Sequence, residues 1–157
     1  GTIAKPVFIK RKYPPSVPAA PSNPGLKATW HEFKGNKCSE IEKAPVNGTY
    51  PVEDVMIPKK VKGNIGLIIK GYFNAPQDDI YTFALLSDDG STLTIDSEQI
   101  VDNDGPHGPK EIVGQKALAK GYHPMELRYF DQNGGQLKLK VTGSDGKEIP
   151  FTHLYAH

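Results

Sequence analysis

The feature that most constrains this chain is the rhythm of its apolar residues. They come in short runs broken by Gly, Pro, Asn and Asp, and no stretch sustains a helical period. Met125-Glu126-Leu127-Arg128-Tyr129 alternates apolar with polar, and so does Leu137-Lys138-Leu139-Lys140-Val141, with Asn133-Gly134-Gly135 between them as a turn. A side-chain period of two gives each strand of such a hairpin one buried and one charged face. Ile65 to Phe73, IGLIIKGYF, is nearly all apolar and rich in β-branched residues, which predicts a central strand; its glycines are expected to mark bends or bulges. The chain is therefore expected to be all-β and antiparallel.

Before this pattern begins, residues 1–24 contain Pro6, Pro14, Pro15, Pro18, Pro21 and Pro24, a density that resists helix and central strand alike. They read as a linker arriving from an upstream domain, with Val7-Phe8-Ile9 able to pair as a short edge strand. The folded domain is expected over residues 25–157, opening with Leu26, Ala28 and Trp30 on one face of a strand. The flat face of Trp30 suits a sugar ring, but a large aromatic in an opening strand is expected in the core. Between residues 34 and 64 only Val55-Met56-Ile57 reads as a strand. The tail is expected to end in an edge strand from Phe151 to Tyr155.

Composition removes several function classes. With 19 Lys plus Arg against 18 Asp plus Glu, a net charge of +1 provides no footprint for nucleic acid. No apolar run is long enough for a membrane span, so no membrane insertion is expected. The single cysteine, Cys38, rules out an intramolecular disulfide framework. Metalloprotease, phosphate-loop and nucleophile-elbow motifs are absent, and the short strands and turns leave little chain for a catalytic cleft, so the domain itself is expected to be non-catalytic.

The chemistry concentrates between Ile80 and Gly108. Tyr81 to Leu86 and Thr92 to Ile95 read as strands joined by Ser87-Asp88-Asp89-Gly90-Ser91, which puts two adjacent carboxylates at a strand end. Such a pair can simply form the turn, since Asp bonds its own backbone and Gly takes unusual dihedrals. Alternatively, two neighbouring carboxylates are relieved by a cation, and hard oxygen donors suit calcium, with a further oxygen drawn from another loop. Asp102-Asn103-Asp104-Gly105 lacks the remaining acidic positions of an EF-hand loop and reads as turn capping.

The ordered set Gly71-Tyr72-Phe73-Asn74-Ala75-Pro76, Tyr81-Thr82-Phe83, Ser87 to Asp96, Val101 to Gly108, Gly121-Tyr122-His123-Pro124-Met125 and Tyr129-Phe130, continuing to Leu137–Val141, resembles the protective-antigen-type domain, the PA-fourteen family. The resemblance runs from about Gly25 to Val141. It implies an antiparallel β-barrel or sandwich. In the sugar-binding adhesin branch it also implies an Asp-Asp pair, joined by a cis peptide, that holds a calcium ion contacting two sugar hydroxyls; Asp88 and Asp89 match that pair. A further ligand is implied from the loop after the penultimate strand, where Asp131 and Asn133 both offer an oxygen. His107 matches the glycosidase-associated branch and either touches the glycan or hydrogen-bonds its own loop.

The expected function is thus a carbohydrate-binding accessory domain, with glycan near Asp88, Asp89, His107 and Asn133 and calcium on Asp88, Asp89 and Asp131 or Asn133. Its expected partners are a glycan and the catalytic domain of a parent glycoside hydrolase, such as a β-N-acetylhexosaminidase. The expected location is extracytoplasmic, and the domain is expected to be a monomer. The alternative is a structural domain that docks on that catalytic domain.

Overall fold

The computed structural model describes residues 13–18, 21, 23–132, 134–150 and 154–156. Eleven strands follow in order: β1 Asn23–Pro24, β2 Leu26–Glu32, β3 Val46–Val52, β4 Ile65–Ala75, β5 Asp79–Asp88, β6 Ser91–Ile95, β7 Glu98–Asn103, β8 Lys110–Leu118, β9 Gly121–Asp131, β10 Gln136–Thr142 and β11 Leu154–Ala156. The helical content among the described residues is one 3₁₀ segment, Cys38–Lys43. No described helix is long and apolar enough to cross a membrane.

The strands form two antiparallel sheets. The larger runs β1-β11-β4-β9-β6-β7, with β2 sharing the β4 edge with β11 and carrying β3 outside it. The smaller runs β10-β5-β8. The sheets stack as a sandwich and do not close into a barrel. Among the described residues no strand of the smaller sheet pairs with one of the larger, and β5 turns one face to the core: Asp79, Tyr81, Phe83, Leu85 and Ser87 are buried while the residues between them are half-exposed. From the larger sheet, Leu67, Ile69, Phe73, Leu93, Leu127 and Tyr129 join them in one core. Phe73 meets Tyr81 and Phe83 edge-on, with ring centroids 5.3 Å and 5.6 Å away.

Several expectations need correction. Strand β4 pairs with β9 without interruption from Ile65↔Asp131 to Ala75↔Gly121, so Gly66 and Gly71 do not mark bulges. They allow close approach: a Cβ at Gly66 would lie 2.8 Å from the Ile41 side chain, and one at Gly71 would overlap Leu26 and the Tyr155 carbonyl. The register shifts fall instead at Trp30/His31 and Leu93/Thr94. Between residues 34 and 64 the strand is Val46–Val52, and Val55-Met56-Ile57 lies outside any strand. Val46–Val52 was hidden because an edge strand with exposed Val46 and an internal Pro51 carries little apolar signal.

Within the proline-rich segment, the Ala119 N–H donates to the Pro14 carbonyl at 3.0 Å and the Val17 N–H to the Tyr122 carbonyl at 2.9 Å. The edge pairing expected of Val7-Phe8-Ile9 lies outside the described residues. So does Phe151–His153; the strand seen in the tail is Leu154–Ala156.

Candidate functional site

Three connections cross from one sheet to the other at the same rim of the sandwich. Strand β5, in the small sheet, ends at Asp88, and β6, in the large sheet, starts at Ser91. Strand β7 ends at Asn103 opposite Ser91, and β8 starts at Lys110 opposite Ser87. Strand β9 ends at Asp131, and β10 starts at Gln136 opposite Asp88. Antiparallel registers thus carry residues 89–90, 104–109, 132 and 134–135 past one another.

Polar residues buried beneath the rim lock these crossings together. The Asn103 amide donates to the Leu85 carbonyl at 3.2 Å, Ser87 Oγ at 3.3 Å and the Lys110 carbonyl at 2.8 Å. Ser87 Oγ and Ser91 Oγ share a hydrogen bond. The Tyr129 hydroxyl donates to the Asp88 carbonyl at 2.7 Å. Burial, followed by the Asp131, Asp88 and Asp89 carboxylates, pushes the Tyr129 phenol well above its ordinary pKa, so it remains a donor. Gly90 fits tightly, since a Cβ there would lie 2.6 Å from the Phe130 ring and 2.7 Å from Gly105 N and O.

The outcome is a carboxylate cluster. One oxygen each from Asp88, Asp89 and Asp131 lies within 4.8 Å of the other two; Asp131 is buried and the Asp pair half-exposed. The Asp88–Asp89 peptide is cis. Like charges this close repel unless something positive shares the space. The donor set fits calcium, because oxygens 2.3–2.6 Å from a common ion stand at most about 5 Å apart.

The other candidates are placed differently. His107 reaches the cluster through its backbone, whose N–H donates to Asp89 Oδ1 at 3.1 Å. Its ring faces the Gly108 carbonyl at 2.7 Å and the Asn103 carbonyl at 2.8 Å, so the imidazole braces its own loop. Asn133 lies outside the described residues. Asp102 and Asp104 cap turns, as their spacing suggests: Asp102 Oδ1 accepts from the Asp104 N–H at 3.2 Å, and Asp104 Oδ1 from the N–H groups of Gly105 at 2.8 Å and Cys38 at 3.0 Å. Trp30 packs against the core with its ring N–H shielded from water and unpartnered among the described residues.

Sequence reasoning passed over Tyr129, Gly135 and the Lys62–Gly63 turn. Tyr129 read only as a core position in an alternating strand. Lys62 comes beside the site because Ile65 pairs with Asp131, a long-range register that no local motif announces. Both Lys62 and Gly63 line a hollow of about 360 Å³ that Asp131, Gly134 and Gly135 also line.

The family model of the PA14 domain matches residues 22–151. The chain belongs to the PA14 family. Curated protein sequences give no match. Among solved structures, a PA14 sugar-binding domain from an RTX adhesin superposes with a TM-score of 0.72 at 17% identity, covering 87% of this PA14 chain and 100% of the adhesin domain. The A domain of epithelial adhesin 6 from Candida glabrata, solved with Galβ1-3GlcNAc, gives 0.65 at 14% identity, covering 92% of each chain. A β-glucosidase from Kluyveromyces marxianus, solved with glucose, gives 0.59 at 17% identity, covering 76% of this chain and 16% of the enzyme. At these identities the likeness is one of fold, and this PA14 domain shares the sandwich of all three.

Proposed function

We propose that this PA14 domain is a non-catalytic carbohydrate-binding module whose glycan is held through a calcium ion on Asp88, Asp89 and Asp131. The observation that carries the reading is the meeting of three carboxylate oxygens, from two crossings far apart in sequence, within 4.8 Å of one another at an open rim. Calcium bound there would supply a hard centre whose water ligands vicinal sugar hydroxyls can replace.

The chain's own residues orient that centre. Tyr129 fixes the Asp88 carbonyl from below. The His107 backbone N–H fixes one Asp89 oxygen from the side. Relatives described as sugar-binding, or solved with a bound glycan, support the reading. The β-glucosidase likeness supports placing such a domain beside the catalytic part of an extracytoplasmic glycoside hydrolase.

The docking alternative calls for a broad apolar surface. Among the described residues the exposed large hydrophobics are Val46 and Val113, on β3 and β8. A surface hollow of about 530 Å³ on the large sheet mixes Tyr72, Pro124 and Met125 with the charged Lys27, Lys70 and Glu126. Carbohydrate binding is the better match to this surface.

A glycan array probed with the labelled domain in calcium, and again in excess chelator, tests the proposal. Binding to a restricted set of glycans that disappears with chelator is the expected result. A blank array in calcium, or signals indifferent to chelator, would count against it.

A further inference from the structure

Beside the carboxylates the rim changes sign. The loop entering β4 turns at Pro58–Val61, where the Val61 N–H donates to the Pro58 carbonyl at 3.0 Å, and turns again at Gly63 with φ 86°. It carries Lys59, Lys60 and Lys62, all exposed. The ion pairs among the described residues use Lys70, Lys116, His123 and Arg128, and none of these three lysines.

Lys62 occupies a particular place. It lines the 360 Å³ hollow next to Asp131, whose other wall is apolar Ile57 and Val61. It also lines a second hollow of about 500 Å³, with Trp30, Phe33 and Lys34. Glu32 borders that second hollow too, where Oε1 accepts from the Asn47 amide at 2.8 Å. Gln132, next to Asp131, donates to the Lys34 carbonyl at 3.4 Å, so the Asp131 loop and the Lys34 segment are joined.

We propose that the glycan recognised at this site is acidic, and that Lys62 selects it by pairing with a carboxylate or sulfate on the sugar. The inference rests on the carbohydrate reading above. A ring anchored by hydroxyls at the Asp cluster extends over the neighbouring hollow, where Ile57 and Val61 meet its C–H face and the Lys62 ammonium is the positive charge among the lining residues. A neutral sugar leaves that ammonium in water. An acidic one gains a charge-assisted hydrogen bond, so the preference should be roughly 10-fold and should shrink as salt screens it. The competing role for Lys62 is to offset the charge of the carboxylate cluster, which would show in calcium affinity rather than in sugar choice.

The test uses the calcium-loaded chain and a matched panel of gluco-, galacto- and manno-configured methyl glycosides with their uronates and 6-sulfates, titrated against the wild type and Lys62→Met. Met keeps most of the apolar stem and removes the charge. The expected result is tighter binding of an acidic member than its neutral parent by roughly 10-fold in the wild type, lost in Lys62→Met and in high salt. Neutral-sugar and calcium affinities should stay within about twofold, so chelation of calcium by a uronate cannot mimic the effect. Whether uronate or sulfate gains more identifies the acidic group. Equal binding of neutral and acidic partners by the wild type overturns the inference and leaves the carbohydrate reading standing, as does a Lys62→Met variant that keeps the acidic preference and instead tightens calcium. Failure of every sugar on a calcium-loaded chain overturns both.

Discussion

Asp89→Asn is expected to leave the metal-free domain as stable as the wild type, or slightly more so, while lowering calcium affinity by on the order of 100-fold. The two directions follow from one cause. Asn keeps an oxygen able to accept the His107 N–H, so the crossing keeps its hydrogen bond. It removes one of three negative charges whose oxygens lie within 4.8 Å, which eases their repulsion when nothing positive is bound. The same charge is what calcium needs. Thermal melts in chelator and in saturating calcium measure both effects together. At calcium 100-fold above its Kd the wild type should gain about 2.7 kcal/mol, or roughly 5–10 °C for a domain of this size, and the variant almost none. If Asp89→Asn melts much lower in chelator and both proteins ignore calcium, Asp89 is a structural turn residue.

Gly135→Ala should be the most damaging single methyl in the site. A Cβ on Gly135 would overlap the Asp88 carbonyl oxygen and the Tyr129 hydroxyl, and lie 2.8 Å from Asp131 Cγ. The methyl therefore lands on the hydrogen bond that fixes one crossing and on the carboxylate that completes the cluster. Relief requires the β9–β10 loop to move away, and overpacking of this kind costs about 1–3 kcal/mol. Calcium binding should be lost along with the stability. Gly134→Ala provides the contrast: at φ 76° it pays for a backbone conformation that suits glycine, yet among the described residues nothing beyond its chain neighbours lies within 4 Å of its Cβ. It should lower the melting temperature modestly and leave calcium affinity intact. If Gly135→Ala bound calcium as the wild type does, the Asp131 loop would not be part of the site.

What was legible in the sequence follows from the range of each interaction. Alternation in β9 and β10 announced a sheet with one wet face because the period of two is written into neighbouring residues. The Asp88-Asp89 turn was visible for the same reason. Long-range packing was not. Gly66 and Gly71 looked like bend residues because sequence does not show Ile41, Leu26 or Tyr155 pressing on them. Asp131 became a full member of the cluster only when β9 and β10 were seen to cross sheets beside the β5–β6 turn. Lys62 is the extreme case, an ordinary exposed lysine until register sets Ile65 against Asp131. The imidazole of His107 braces its loop rather than the cluster, since its carbonyl partners lie within four residues of it.

The central claim is that these crossings build a calcium site for a glycan, and calorimetric titration of calcium into the chelator-stripped domain tests it most directly. A single saturable transition, weakened by on the order of 100-fold in Asp89→Asn and accompanied by a rise in melting temperature, is the result this account predicts. Absence of heat together with an unchanged melting temperature across the titration would contradict it, and would leave Asp88, Asp89 and Asp131 as a carboxylate cluster that shapes the rim without binding metal.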